Sequence, residues 1–155
     1  MLYTIRLAIP SDFPVLMSLR LALFEELGHP LSAADRAQIT AEHARWFTEH
    51  EGRVVTWLAE LDGAAVACGS LALLDRLPYP GHAKGLDAYL QNMYTLRQAR
   101  GMGVGRAIVG AAKAWAVQHG VGMIMLHASA DGEPLYRQCG FVPSGSYLEW
   151  RNPSA

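Results

Sequence analysis

Residues Arg100, Gly101, Met102, Gly103, Val104, Gly105 and Arg106 place three glycines in five positions between two arginines. Glycine lets the main chain take positive φ and lets a ligand approach it closely. A helical pattern begins at Gly103, adding the unpaired amides and positive dipole end of a helix N-terminus. Together these features suit an anion, and a pyrophosphate in particular. Two common nucleotide loops do not fit. No Gly-Lys-Ser/Thr ending follows Gly105 or Gly110, which excludes a Walker A loop. The spacing G-x-G-x-x-G demands glycine where Arg106 or Ile108 stands, which argues against a nicotinamide dinucleotide.

The elements around this stretch follow from periodicity. Tyr3 to Ala8 alternates as a strand, and Ser11 or Asp12 offers a cap to a helix carrying Leu16, Leu19, Leu23 and Leu27. Ser32 and Asp35 form a capping box that opens a second helix, ending near Gly52. Arg53 to Leu61 and Ala64 to Leu74 read as a hairpin turned at Asp62-Gly63. Asp75 to Gly85 is a long loop expected to reach over a site. Leu86 to Leu96 is a strand, Gly103 to His119 a helix, and Val121 to His127 a buried strand. Pro134 to Gln138 is a short helix, and Phe141 to Arg151 is expected to supply closing strands. This order predicts an α/β mixed sheet with helices on both faces, in a single domain over residues 1–155.

Composition narrows the function. Thirteen Lys and Arg against fourteen Asp and Glu give a net charge of -1, so the clustered cations that bind a nucleic-acid backbone are lacking. No apolar run approaches the ~20 residues of a membrane helix. The opening MLYTIRLAIP has neither a basic n-region nor an A-x-A site, and a cytoplasmic location is expected. Cys68 and Cys139 lack C-x-x-C spacing and read as reduced apolar residues. The histidines show no short ligand spacing, so no metal is expected. Trp46, Trp57 and Trp115 fall in phase with core faces.

Arg100, Gly103 and Gly105 match the R/Q-x-x-G-x-G/A signature, and the stretch resembles that of the GNAT superfamily of acyl-coenzyme-A-dependent N-acyltransferases. Two further segments extend the likeness. Tyr94-Thr95 stands where the family has a strand ending in Tyr-Val, and Leu135 to Phe141 resembles its later L-Y-x-x-x-G-F. The resemblance implies a mostly antiparallel sheet of about six to seven strands, splayed between strands four and five to admit acetyl-CoA. It implies main-chain contacts to the pantetheine arm from Met93, Tyr94 and Thr95, and a pyrophosphate cradle from Arg100 to Arg106. Ser129, seven residues before Tyr136 where many members have asparagine, is carried as a further cofactor contact. A homodimer is plausible by family habit and from the apolar residues around Tyr147 and Trp150.

Acetyl transfer to an amine needs a neutral nucleophile, a polarised carbonyl and a proton for the thiolate. The resemblance puts Tyr136 beside the coenzyme sulfur as the general acid, with an amide among Met93 to Thr95 for the oxyanion. For the base, Asp87 is the only carboxylate between Leu86 and Leu96, and Glu25, Glu26 or His127 acting through a water are the alternatives. Tyr89 and Asn92 lie on the strand leading to the coenzyme site and are candidates for the acceptor pocket, as are Glu25 and Glu26 for a cationic substrate. The expected acceptor is a small-molecule or peptide amine. The rival readings are a non-catalytic acyl-CoA-binding domain and a site for another phosphorylated ligand.

Overall fold

In a computed structural model the chain is described over residues 3–154. Its elements in order are β1 (Tyr3–Leu7), α1 (Phe13–Glu26), α2 (Ala33–Glu49), β2 (Val54–Leu61), β3 (Ala64–Asp75), β4 (Leu86–Thr95), α3 (Val104–His119), β5 (Ile124–Met125) and α4 (Glu133–Gln138). The strands form one sheet in the order β1-β2-β3-β4-β5, antiparallel except for the β4–β5 pair. Among the described residues no helix is long and apolar enough to cross a membrane.

Strand alternation sends successive side chains to opposite faces, and the two faces receive different helices. Trp57, Ala67, Leu71, Ala88 and Leu90 pack with Ile108, Val109 and Ala112 of α3. Leu58, Cys68 and Tyr94 pack instead with Leu16 and Leu19 of α1. The capping box forms as read: Asp35 N–H donates to Ser32 Oγ at 3.1 Å, and Ser32 N–H to Asp35 Oδ2 at 2.8 Å. Asp62 and Gly63 both take positive φ, 51° and 79°, as a tight hairpin with the twist of its strands requires. Asp12 does not cap α1; its carboxylate accepts from Ile9 N–H and pairs with Arg6.

The strand count differs from expectation. Five strands form, not six to seven, because Phe141 to Arg151 stays outside the sheet and the expected strand from Val121 to His127 shortens to Ile124–Met125. The ladder between β4 and β5 holds only the pairs Ala88–Ile124 and Tyr89–Met125. With no longer edge beside it, the alternation near the C-terminus has nothing to pair with. Val142, Leu148 and Trp150 accordingly stay more than four-fifths exposed.

β4 contains a bulge. Cys68 pairs with Tyr94 and Ser70 with Gln91, so Asn92 and Met93 together face Gly69. Asn92 absorbs the extra residue with φ 55°. Gly69 is needed for the close approach: a Cβ there overlaps Met93 Sδ and comes within 2.7 Å of Ile108 Cγ2. Gly69→Ala is therefore expected to destabilise the fold by about 1–3 kcal/mol, read as a lowered midpoint in urea unfolding.

Candidate active site

The unpaired part of β4 organises the site. Beyond Tyr89, residues Leu90 to Thr95 have no partner on β5. On the other side Leu96 N–H donates to Val66, which sets the alternation of the antiparallel ladder. Tyr94 therefore turns its main-chain groups toward β3, and Thr95 turns its own to the open edge. There Arg100 Nε already donates to the Thr95 carbonyl at 2.9 Å. Of the three residues expected to offer main-chain contacts, Tyr94 thus has its peptide groups turned to β3.

The glycine loop follows directly. Gly101 and Gly103 take φ of 77° and 81°, and Gly103 caps α3 in the left-handed region where only glycine is unstrained. Among the described residues, the N–H groups from Gly101 to Arg106 have no main-chain or side-chain acceptor, the first internal bond being Ala107 N–H to Gly103. They supply a row of donors at the positive end of a sixteen-residue helix. Val104 is buried and anchors the turn from beneath.

Arg100 behaves differently from its neighbours. Its guanidinium pairs with Glu26 at 2.7 Å and lies over the Tyr94 ring, while the Tyr94 hydroxyl donates to the same carboxylate at 3.1 Å. Arg100 and Glu26 thereby tie the end of α1 to the base of the loop. The guanidinium beside Glu26 pulls that carboxyl from 4.5 to about 2, which makes it a poor proton acceptor at neutral pH. Because the folded value lies below the unfolded one, this pairing stabilises the fold fully above about pH 4.5 and is lost as pH falls through about 2. Glu26→Gln is expected to flatten the fall of melting temperature across that window.

The loop, the strand end and α4 converge. A Cβ on Gly105 would lie 3.2 Å from Leu135 Cδ2 and 3.9 Å from Thr95 Oγ1. One on Gly132 would lie 3.1 Å from Ser129 Oγ and 3.3 Å from Tyr136 Cε2. Ser129 Oγ accepts from Gly132 N–H and shapes the turn into α4. Arg106 bonds Gln138 at the end of that helix. Tyr136 is half-buried, edge-on to Phe141, and burial pushes its phenol above the ordinary value, with smaller contributions from Cys139 and Tyr89. A phenol so shifted stays protonated at neutral pH, which is the state a proton donor needs.

The other expected residues are distributed more widely. Asp87 is fully buried at the start of β4, bonded by Arg76 Nη1 at 2.9 Å, with His82 Nε2 3.2 Å from its other oxygen. Its carboxylate thus pins the loop from Asp75 to Gly85 and lines neither cavity beside α1. Glu25 pairs with Arg36 across α1 and α2, in a shallow cavity. Asn92 lines a second cavity of about 430 Å³ between α1, α2 and β4, together with Arg20, Glu42, His43, Trp46 and Gln91. Arg20 donates to Asn92 Oδ1 there at 3.2 Å and lies over the Phe24 ring. Periodicity assigned Trp46 to packing, yet no residue of α2 is buried. Cys68 is fully buried and its thiol is pushed up to about 12, so it is no nucleophile at neutral pH.

The open edge of β4 and the free amides of the glycine loop lie next to each other in the chain, and comparison with known proteins places the whole fold. The model of the acetyltransferase (GNAT) family matches residues 16–141. An aminoglycoside N(6')-acetyltransferase type 1 of Stenotrophomonas maltophilia is 27% identical over 154 residues, covering 97% of this chain and 93% of that protein. A predicted acetyltransferase of Clostridium acetobutylicum, solved with acetyl-CoA, superposes with a TM-score of 0.82 at 26% identity, over 97% of this chain and 96% of that one. A GCN5-related N-acetyltransferase of Ralstonia eutropha JMP134 does so with 0.79 at 26% identity, over 96% and 98%. The matched span runs from α1 through the glycine loop to the end of α4, and the chain belongs to the acetyltransferase (GNAT) family.

Proposed function

We propose that this acetyltransferase takes the acetyl group from acetyl-CoA and passes it to a primary amine by direct attack in a ternary complex. One observation carries the reading: an unpaired strand edge leads into a loop of six free amides, and the short helix that packs on that loop carries a half-buried tyrosine. In this reading β4 and β5 splay beyond Tyr89 to receive the coenzyme. The amides from Gly101 to Arg106 hold the pyrophosphate, with Arg100 positioning the loop through Glu26. The open edge at Met93 and Thr95 binds the pantetheine arm, and an amide there meets the oxyanion. Tyr136 gives its proton to the departing thiolate.

The acceptor enters the cavity between α1, α2 and β4. Glu42 and the Trp46 ring there offer an ammonium group charge and an aromatic face. The name of the Stenotrophomonas maltophilia relative supports a small polyamine-like acceptor such as an aminoglycoside. The test is release of coenzyme A from acetyl-CoA, followed with a thiol reagent, across an aminoglycoside, a linear polyamine, an amino-acid ester and a short peptide. Release with at least one amine is expected, with the acetylated product confirmed by mass. Acetyl-CoA binding without release by any amine would instead favour a non-catalytic coenzyme-binding domain.

A further inference from the structure

Tyr89, His127 and Glu149 form a hydrogen-bonded chain across three separate segments. The Tyr89 hydroxyl, on β4, lies 2.5 Å from His127 Nδ1, just beyond β5. The opposite ring nitrogen, Nε2, lies 3.1 Å from Glu149 Oε1 on the C-terminal segment. Arg151 donates to the other oxygen of Glu149 at 3.1 and 3.2 Å, which orients the carboxylate. A carboxylate accepting at Nε2 leaves the lone pair of neutral imidazole at Nδ1. Nδ1 then accepts the Tyr89 proton, and the tyrosine oxygen keeps a lone pair for another donor.

The position of this chain gives it a use. Tyr89 makes the last ladder pair before β4 loses its partner, and the strand continues into Gln91 and Asn92 of the cavity. We propose that Tyr89, His127 and Glu149 form a proton relay that deprotonates the acceptor's ammonium group before attack. This rests on the amine-acetylation reading above. One ammonium proton passes to the Tyr89 oxygen as the Tyr89 proton passes to His127 Nδ1, and Glu149 stabilises the imidazolium. The neutral nitrogen then forms the C–N bond and the C–S bond breaks. The thiolate takes the Tyr136 proton, and the second nitrogen proton restores Tyr136. Half-exposed His127 returns its proton to solvent, so each turnover releases one proton.

The groups around His127 are Tyr89 on β4 and Glu149, Arg151 and Tyr147 on the C-terminal segment, with Tyr136 of α4 near Tyr89. The test compares Tyr89→Phe, His127→Gln and Glu149→Gln with wild type, using the best amine of the coenzyme-release panel from pH 6 to pH 10. Each variant's fold and acetyl-CoA affinity are checked separately. The expected result is a kcat/KM for the amine about 100-fold lower at pH 7 in Tyr89→Phe and His127→Gln, with a smaller loss in Glu149→Gln. The deficit closes as pH approaches the amine's own pKa. A wild-type profile in the variants, or a loss equal at every pH, overturns the relay while leaving acetyl transfer standing. A folded wild type that acetylates no amine overturns both.

Discussion

Replacing Gly103 by glutamate is expected to weaken acetyl-CoA binding by at least about 100-fold while the chain still folds. The residue caps α3 at φ 81°, and the nearest atom to an added Cβ is the Tyr3 hydroxyl at 3.5 Å. Space is therefore available, and the cost to the fold is that of a left-handed conformation, on the order of 1–2 kcal/mol. Binding suffers far more. A carboxylate placed among the amides from Gly101 to Arg106 repels the pyrophosphate and competes for its donors. Hydrogen bonds to a charged group contribute about 1.5–3 kcal/mol each, so losing two gives the stated factor. Gly103→Ala is the control, since it imposes the same backbone strain without the charge. Calorimetric titration beside thermal unfolding of the three proteins separates the two effects. Equal losses in both variants would assign the effect to loop geometry and not to the anion site.

Tyr136→Phe is expected to lower kcat by about 100-fold or more, with acetyl-CoA affinity nearly unchanged. Phenylalanine keeps the edge-on contact with Phe141 and removes only the hydroxyl. Burial raises the phenol, so it is protonated throughout neutral pH and the wild-type rate has no basic limb from this group below its shifted value. The variant loses the proton donor for the thiolate. Acyl donors with a better leaving group than coenzyme A should suffer less, because they need no proton. An unchanged kcat would remove Tyr136 from this step.

The parts of the fold legible in sequence are those governed by local rules. The Ser32–Asp35 box, the Asp62-Gly63 turn and the Gly103 start of α3 each depend on a few neighbouring residues, and each appears where its spacing predicts. The closing strands did not follow, because a strand near Tyr147 requires a partner edge, and β5 ends at Met125. Alternation records burial preference and carries no information about which edge is free. The bulge at Asn92 was likewise invisible: it arises from the approach of Gly69 to Met93 and Ile108 across two strands and a helix.

The site shows the same division. The glycine loop with its left-handed turn and unpaired amides was legible because glycine spacing and a helix start are local. The carboxylates were harder to read, since Asp87 and Glu26 had the right chemistry but are engaged by Arg76 and Arg100. Only tertiary structure shows that one pins a loop and the other ties α1 to the base of the glycine loop. The chain from Tyr89 to Glu149 spans 60 residues, a separation over which no spacing rule operates.

The most direct test is calorimetric titration of the coenzyme-free wild-type chain with acetyl-CoA. The account predicts saturable binding of one molecule per chain, competed by coenzyme A and not by a nicotinamide dinucleotide. A folded chain that gives no binding heat at any temperature tried, and no thermal stabilisation by acetyl-CoA, would contradict it.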